Sequence, residues 1–478
     1  LSFGAYAVAA ECYARWLNGA GIGPASRVAW QLPTTLESVV LTAALCRLGA
    51  VQIPLLPFLR EREVGFICAQ SEVELLIVPG EWNGFDYAAM AAEVCEAVPR
   101  LSFQVLPDDS EIDATENLPA YTAHSPSEDL SWVFYTSGTT SAPKGAMHCD
   151  DAIISTAFGM CAALELSGSD VIPMVFPFTH IGGFVWLASF MLTGAESVLV
   201  EKFSESVFGY MADAGTTVAG AGTAFIQAYL KAQRQQPDIP LFPRLRCSTG
   251  GGSTKPPQLH QQVMDELGGR GMVSGYGMTE CPIATMNTVR DPDAMLAATE
   301  GRPMPGMLVK VVDTNGQALN AGEQGEICLK GPHQCLGYID SSLNEGAFDA
   351  EGYMRSGDLG FLNVDGWLTV TGRLKDVIIR KGENISAKKV EDAIATFPAV
   401  AEVTVVGLAD EARGEMACAV VVLREGAASF DLGTIGEHCL ERGLLKQERP
   451  ERLEFVSAIP KNASGKVMKA QLQSKFSV

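Results

Sequence analysis

A chain of 478 residues with 47% hydrophobic and 19% charged content holds roughly two to four domains and is too apolar to be disordered. Its formal net charge of −21 argues against a nucleic-acid partner, which needs a basic face. No apolar run reaches the length of a membrane span, and twelve cysteines without a C-x-x-C pair read as reduced thiols of a cytoplasmic protein.

The opening stretch SFGAYAVAAECYARWLNGAGI reads as a helix already inside a domain, so further residues are expected before Leu1. A helix over 36–50 follows, then VQIPL and a strand at 73–79. The run SWVFY (131–135) is a short buried strand that feeds YTSGTTSAPKG. Thr136, Ser137, Thr139 and Thr140 crowd around Gly138, and Lys144 closes the stretch. Hydroxyls, freed backbone N–H groups and a lysine ammonium suit phosphate oxygens. The spacing is not G-x-x-x-x-G-K-[ST], so this is not the usual mononucleotide loop. Helices over 152–166 and 181–192 alternate with VIPMVF, SVLV, TTVAG, LRCST and GMVSG, which predicts parallel sheets covered by helices.

STGGGSTKPP (248–257) follows the strand LRC, and Gly250, Gly251 and Gly252 let a flat group approach the backbone. In GYGMTE (275–280), Tyr276 offers an aromatic face beside Gly277, Thr279 a hydroxyl and Glu280 a hard oxygen ligand for Mg²⁺. After about residue 307 the runs LVKVVD, GEICLKG and WLTVTG lie between Gly- and Asn-rich turns, a β-rich subdomain. There RSGDLG (355–360) presents Asp358, whose carboxylate can accept ribose hydroxyls. A boundary near GRLK (372–375) opens about a hundred residues of mixed α+β, closed by PKNASGKVMK (460–469). Singly, these motifs also read as a solvated turn, a helix cap or an Asp in a β-turn.

As an ordered set they resemble the adenylate-forming superfamily, in its acyl-CoA synthetase branch. Ser141 departs from the glycine usual in that family's phosphate loop. The resemblance implies an α/β protein: a large N-terminal domain over 1–374, made of helix-covered sheets plus the β-rich subdomain, and a small mobile α+β domain over 375–478. It implies that a carboxylate attacks the α-phosphorus of Mg·ATP and that the acyl-AMP then passes to coenzyme A. Thr136 to Thr140, Lys144, Gly250 to Gly252, Tyr276, Gly277, Thr279, Asp358 and Arg373 would hold ATP or AMP. Lys466 would neutralise charge in adenylation, Glu280 would hold the metal, and Lys375 would be the hinge. Lys381, Gly382, Glu383 and Asn384 would line the thiol tunnel.

FPFTHIGGFVW (176–186) resembles the segment where acyl-CoA synthetases place a gate, here His180. Ile181, Phe184, Val185 and Met278 would complete an apolar acyl pocket. No aspartate lies in 175–192 to hold an ammonium, so an amino-acid substrate is not expected. The segment and IPLLPFLREREV (53–64) look most like ligases for medium-chain, alicyclic, aromatic or sterol-derived acids. Two alternatives stay open: loading a carrier-protein phosphopantetheine, and a non-catalytic nucleotide-binding relative. A homodimer is compatible with the resemblance.

Overall fold

The computed structural model describes residues 1–107, 118, 129–136, 143–252, 255–256, 258–381, 383–410, 412–461 and 467–477. The first sheet is built on apolar runs, buried along its central strands and partly exposed at the edge strand Ser102–Val105. Its strands Arg27–Trp30, Val51–Pro54, Leu75–Val78 and Ser102–Val105 run parallel, and Trp132–Thr136 adds parallel to Val51–Pro54. Val28, Trp30, Ile53, Leu76 and Ile77 are 0% exposed, as a sheet covered on both faces requires. The helix Leu36–Leu48 is bounded by its own chemistry. Ser38 reciprocates a capping box with Thr35, and Gly49 ends the helix at φ 68°.

The second sheet runs parallel through Val218–Gly220, Cys247–Gly250 and Met272–Met278, then turns antiparallel into Cys281–Met286 and Arg302–Pro303. The helices Asp150–Leu164 and Ile181–Thr193 sit in one core with both sheets, joining Trp30, Trp132 and Phe178 to Val273 and Met286. Leu308–Val312, Gly325–Lys330, Met354–Leu362 and Leu368–Arg373 form the antiparallel subdomain.

From Val377 on, the strands build a sheet of their own with a separate core that includes Ile378, Ile385, Val405, Val421 and Ile435. Polar contacts join this unit to the rest. Ser386 Oγ donates to the Thr371 carbonyl at 2.7 Å, and Gln258 Nε2 to the Ala395 carbonyl at 3.3 Å. The helix Ala387–Ala395 is capped by Ser386, whose side chain accepts from the Lys389 N–H at 3.3 Å. One element differs from the sequence expectation. Lys144 is not part of an open loop but begins a return strand, Lys144–His148, antiparallel to Trp132–Thr136. The run KGAMH lacks the apolar–polar alternation that marks a strand, so sequence period could not reveal it.

Candidate active site

The hairpin carrying the phosphate-loop sequence pairs Thr136 with Lys144 and Tyr135 with Gly145. Ser137, Gly138, Thr139, Thr140 and Ser141 lie outside the described residues. Lys144 Nζ stands 5.8 Å from the ring centroid of Tyr338. The Tyr338 hydroxyl donates to Glu280 Oε1 at 2.7 Å. Tyr338 therefore lies between the loop lysine and the proposed metal carboxylate.

Glu280 and Thr279 form the tip between Met272–Met278 and Cys281–Met286, where Met278 pairs with Cys281. Only glycine fits at 277, because a Cβ there would sit 2.2 Å from the Pro282 carbonyl oxygen. Glu280 is 5% exposed, and among the described residues its Oε2 has no hydrogen bond. A lone buried carboxylate with a spare oxygen suits Mg²⁺, which is commonly held by one or two carboxylates plus substrate phosphates.

Three strands then converge on one carboxylate. Asp358, 4% exposed, accepts from the Tyr276 hydroxyl at 2.8 Å and from Arg373 Nε at 2.8 Å. Its backbone N–H donates to Ser356 Oγ, whose hydroxyl donates to the Ile327 carbonyl. Burial and the neighbouring Asp358 charge push the Tyr276 phenol well above its ordinary range, so it stays a donor. Gly251 sits against this strand, since a Cβ there would be 3.0 Å from the Gly275 carbonyl oxygen, and Gly252 takes φ 71°. Gly250 leaves room for the Met272 side chain. Lys255, in the same motif, turns away from the site. It is 7% exposed and donates to the carbonyls of Leu296 and Thr299, capping the helix Asp293–Ala298. Burial lowers its pKa to about 8.

His180 is half-buried and caps the helix Ile181–Thr193, with the Gly182 N–H donating to its Nδ1 at 3.1 Å. An accepting Nδ1 in a neutral ring leaves the proton on Nε2. Ile181, Phe184 and Val185 are at most 3% exposed and belong to the main core. The Phe184 ring lies 4.6 Å from Trp132, 4.8 Å from Phe178 and 5.2 Å from Phe134. They support the His180 turn from below, while Met278 is only half-buried. Gly183 is obligatory in that turn, for a Cβ would meet the Phe178 carbonyl oxygen at 2.2 Å.

Beyond the subdomain, Lys375 is exposed in the short turn Leu374–Asp376. Lys381 takes φ 50° in the turn joining Val377–Arg380 to Glu383–Ser386, with Glu383 and Asn384 exposed on the latter strand. Gly382 and Lys466 lie outside the described residues. The sequence reading missed a cavity of about 370 Å³ beside the Phe176–His180 turn, lined in part by Phe58, Arg60, Phe85, Phe176 and Phe203. The Arg60 guanidinium lies 4.0 Å from the Phe85 ring centroid. The signal was PFLR within IPLLPFLREREV, an aromatic and a cation two residues apart.

The family model described as AMP-binding enzyme matches residues 1–339, and that of the AMP-binding enzyme C-terminal domain matches 389–466. The chain is an AMP-binding enzyme. It is 31% identical to the medium-chain fatty-acid–CoA ligase of Escherichia coli (strain K12), over 97% of its own length and 84% of that protein's. It is 32% identical to the salicyl-AMP ligase / salicyl-S-ArCP synthetase of Mycobacterium tuberculosis, over 97% and 83%. Its fold is similar to ATP-bound MatB from Rhodopseudomonas palustris, with a TM-score of 0.89 at 27% identity over 100% of this chain and 93% of that one. The ligase thus belongs to the acyl-CoA synthetase branch of the adenylate-forming superfamily. It is an AMP-forming acid–thiol ligase. No helix among the described residues is long and apolar enough to cross a membrane.

Proposed function

We propose that this ligase activates an apolar carboxylic acid, of medium-chain, alicyclic, aromatic or sterol-derived type, as acyl-AMP and passes the acyl group to coenzyme A. The observation that carries the reading is the His180 turn. Residues 175–192 contain no acidic side chain, and the turn rests on Phe178, Ile181 and Phe184. An ammonium group brought there would lose water and gain no counter-charge. Two of the relatives are named for acids of the proposed kind, a medium-chain fatty acid and salicylate.

In this reading Asp358 and Arg373 grip the ribose, and Tyr276 borders adenine. The Thr279 hydroxyl and Lys144 hold phosphate oxygens. Mg²⁺ on Glu280 would supply Lewis-acid neutralisation of phosphate charge. Lys466 enters for adenylation, the attacking carboxylate displaces pyrophosphate, and rotation about Lys375 then brings the loop of Lys381 to Asn384 to the thiol. Positioning and preorganised charge account for most of the rate in such transfers.

Free coenzyme A is favoured over a carrier protein by the cavity of Arg60 and its aromatic rings. A flat, anionic nucleotide end suits stacking next to a guanidinium. Pyrophosphate release across a panel of acids tests the substrate. Turnover is expected with octanoate or benzoate-type acids, and turnover only with free α-amino acids overturns the reading. For the acceptor, Arg60→Ala should raise KM for coenzyme A about tenfold while ATP–pyrophosphate exchange holds, the loss of one charge-assisted contact. An unchanged KM for coenzyme A, with faster transfer to a carrier protein, would favour the carrier alternative.

A further inference from the structure

The return strand of the phosphate hairpin ends in a buried imidazole that the proposed mechanism leaves without a role. His148 is 0% exposed, and Phe134 packs against it edge-on at 5.9 Å between ring centroids. Its Nε2 lies 2.9 Å from the Thr279 carbonyl oxygen, 131 residues away. A carbonyl can only accept, so Nε2 carries the proton. Nδ1 is then a bare acceptor, and among the described residues it has no partner. A buried lone pair left unpaired costs stability, and a leucine at this position would avoid that cost. Packing alone therefore does not account for a histidine here.

The geometry around the Thr279–Glu280 tip supplies a reason. The strand Lys144–His148 also pairs with Gly337–Tyr338, setting Gly337 opposite Met147 and Tyr338 opposite Ala146. Tyr338 holds the Glu280 carboxylate at 2.7 Å, and the Cys335 N–H donates to the Glu280 carbonyl at 2.8 Å. The tip is thus tied to one strand on two sides: directly by His148 at Thr279, and through its neighbour strand at Glu280. Lys144 starts that strand and His148 ends it. Any shift of the tip relative to the phosphate hairpin must break the His148 bond.

We propose that His148 is a positioning residue for nucleotide binding, fixing the Thr279 hydroxyl and the Glu280 carboxylate at a set distance from the phosphate hairpin. It touches neither substrate nor metal and acts through the Thr279 carbonyl. The inference rests on the roles given above to Thr279 and Glu280. Partners that orient a metal-binding or phosphate-binding group typically carry about 10- to 100-fold in affinity.

The test uses the full chain and calorimetric binding of α,β-methylene-ATP with Mg²⁺, so no acid substrate is needed. His148→Leu removes the N–H donor, whereas His148→Gln carries an amide N–H of similar reach. The leucine variant should bind the Mg²⁺–analogue at least tenfold more weakly, hold adenosine as the parent does, and need more Mg²⁺ for half-saturation. The glutamine variant should recover most of the loss. If the leucine variant does not fold, His148→Asn, too short for the carbonyl, replaces it with the same expectation. Unchanged analogue binding, an equal loss of adenosine binding, or equal weakness in the glutamine variant overturns the proposal. Glu280→Gln serves as the separate arm. If it leaves the Mg²⁺ dependence untouched, the metal role of Glu280 fails. If it weakens binding while His148→Leu does not, the positioning role alone fails.

Discussion

Among the described residues, three histidines are buried in the N-terminal part, and burial makes each harder to protonate. Burial lowers the pKa of His148 to about 4 from an ordinary 6.5, and burial also lowers His260 and His333. Each folded pKa lies below its unfolded value, so the unfolded chain takes up protons first as pH falls. The stability is fully present above about pH 6.5 and is lost as pH drops toward 4. At pH 5 the His148 share of that loss is about 2 kcal/mol. Urea unfolding at pH 7 and pH 5 should therefore show a smaller acid loss for His148→Gln than for the parent, by about that amount. An identical pH dependence in the two proteins would refute a neutral, desolvated His148. At the same scale, Asp358 has both oxygens engaged by Tyr276 and Arg373, which orients it before a ribose arrives. The motif RSGDLG advertised the carboxylate but not the two side chains that aim it.

The two site hairpins are shaped by glycines that admit no Cβ. Tyr135 lies opposite Gly145, and a Cβ at 145 would stand 2.7 Å from the Tyr135 ring. That ring cannot swing aside freely, because its hydroxyl is 2.8 Å from Ser71 Oγ and donates to Gln70 Oε1 at 2.8 Å. Gly145→Val should cost about 1–3 kcal/mol, the usual range for overpacking a filled site. It should also weaken ATP binding, since the strand carries Lys144 and His148. Denaturant midpoints and ATP titration check both effects. A variant as stable as the parent would mean that the hairpin relaxes around the new side chain. The sequence named this stretch as a nucleotide loop from its hydroxyls and glycine. It could not show that the loop closes a hairpin, because a return strand of KGAMH has no periodic signal of its own.

At the scale of the molecule, the unit after Val377 has its own sheet and core, and polar contacts such as Ser386 to Thr371 and Gln258 to Ala395 join it to the remainder. Polar contacts between units with separate cores are compatible with rigid-body rotation about a hinge. The resemblance puts Lys466 in that unit as the adenylation lysine. Lys466→Ala should lower pyrophosphate-linked activation by about 10²- to 10³-fold, the loss of one preorganised charge. Given preformed acyl-AMP and coenzyme A, the same variant should form thioester near the parental rate. Equal loss in both half-reactions, with unchanged melting, would show that the lysine has no pose-specific role.

The order of strands and helices, and the chemical character of YTSGTTSAPKG, GYGMTE and RSGDLG, lay in the sequence. Each depends on neighbours within a few residues: apolar period, glycine freedom, hydroxyl and carboxylate content. What faces what was decided by tertiary structure. Phe184 and Ile181 read as acyl-pocket residues, yet they are buried in an aromatic core with Trp132 and Phe134, because both sheets close over their helix. Lys255 sits in a glycine-rich nucleotide motif but caps a helix that begins 38 residues later. His148 meets Thr279 across 131 residues. Side-chain direction and long-range partners follow from how elements pack, and packing is a property of the whole chain that no local pattern encodes.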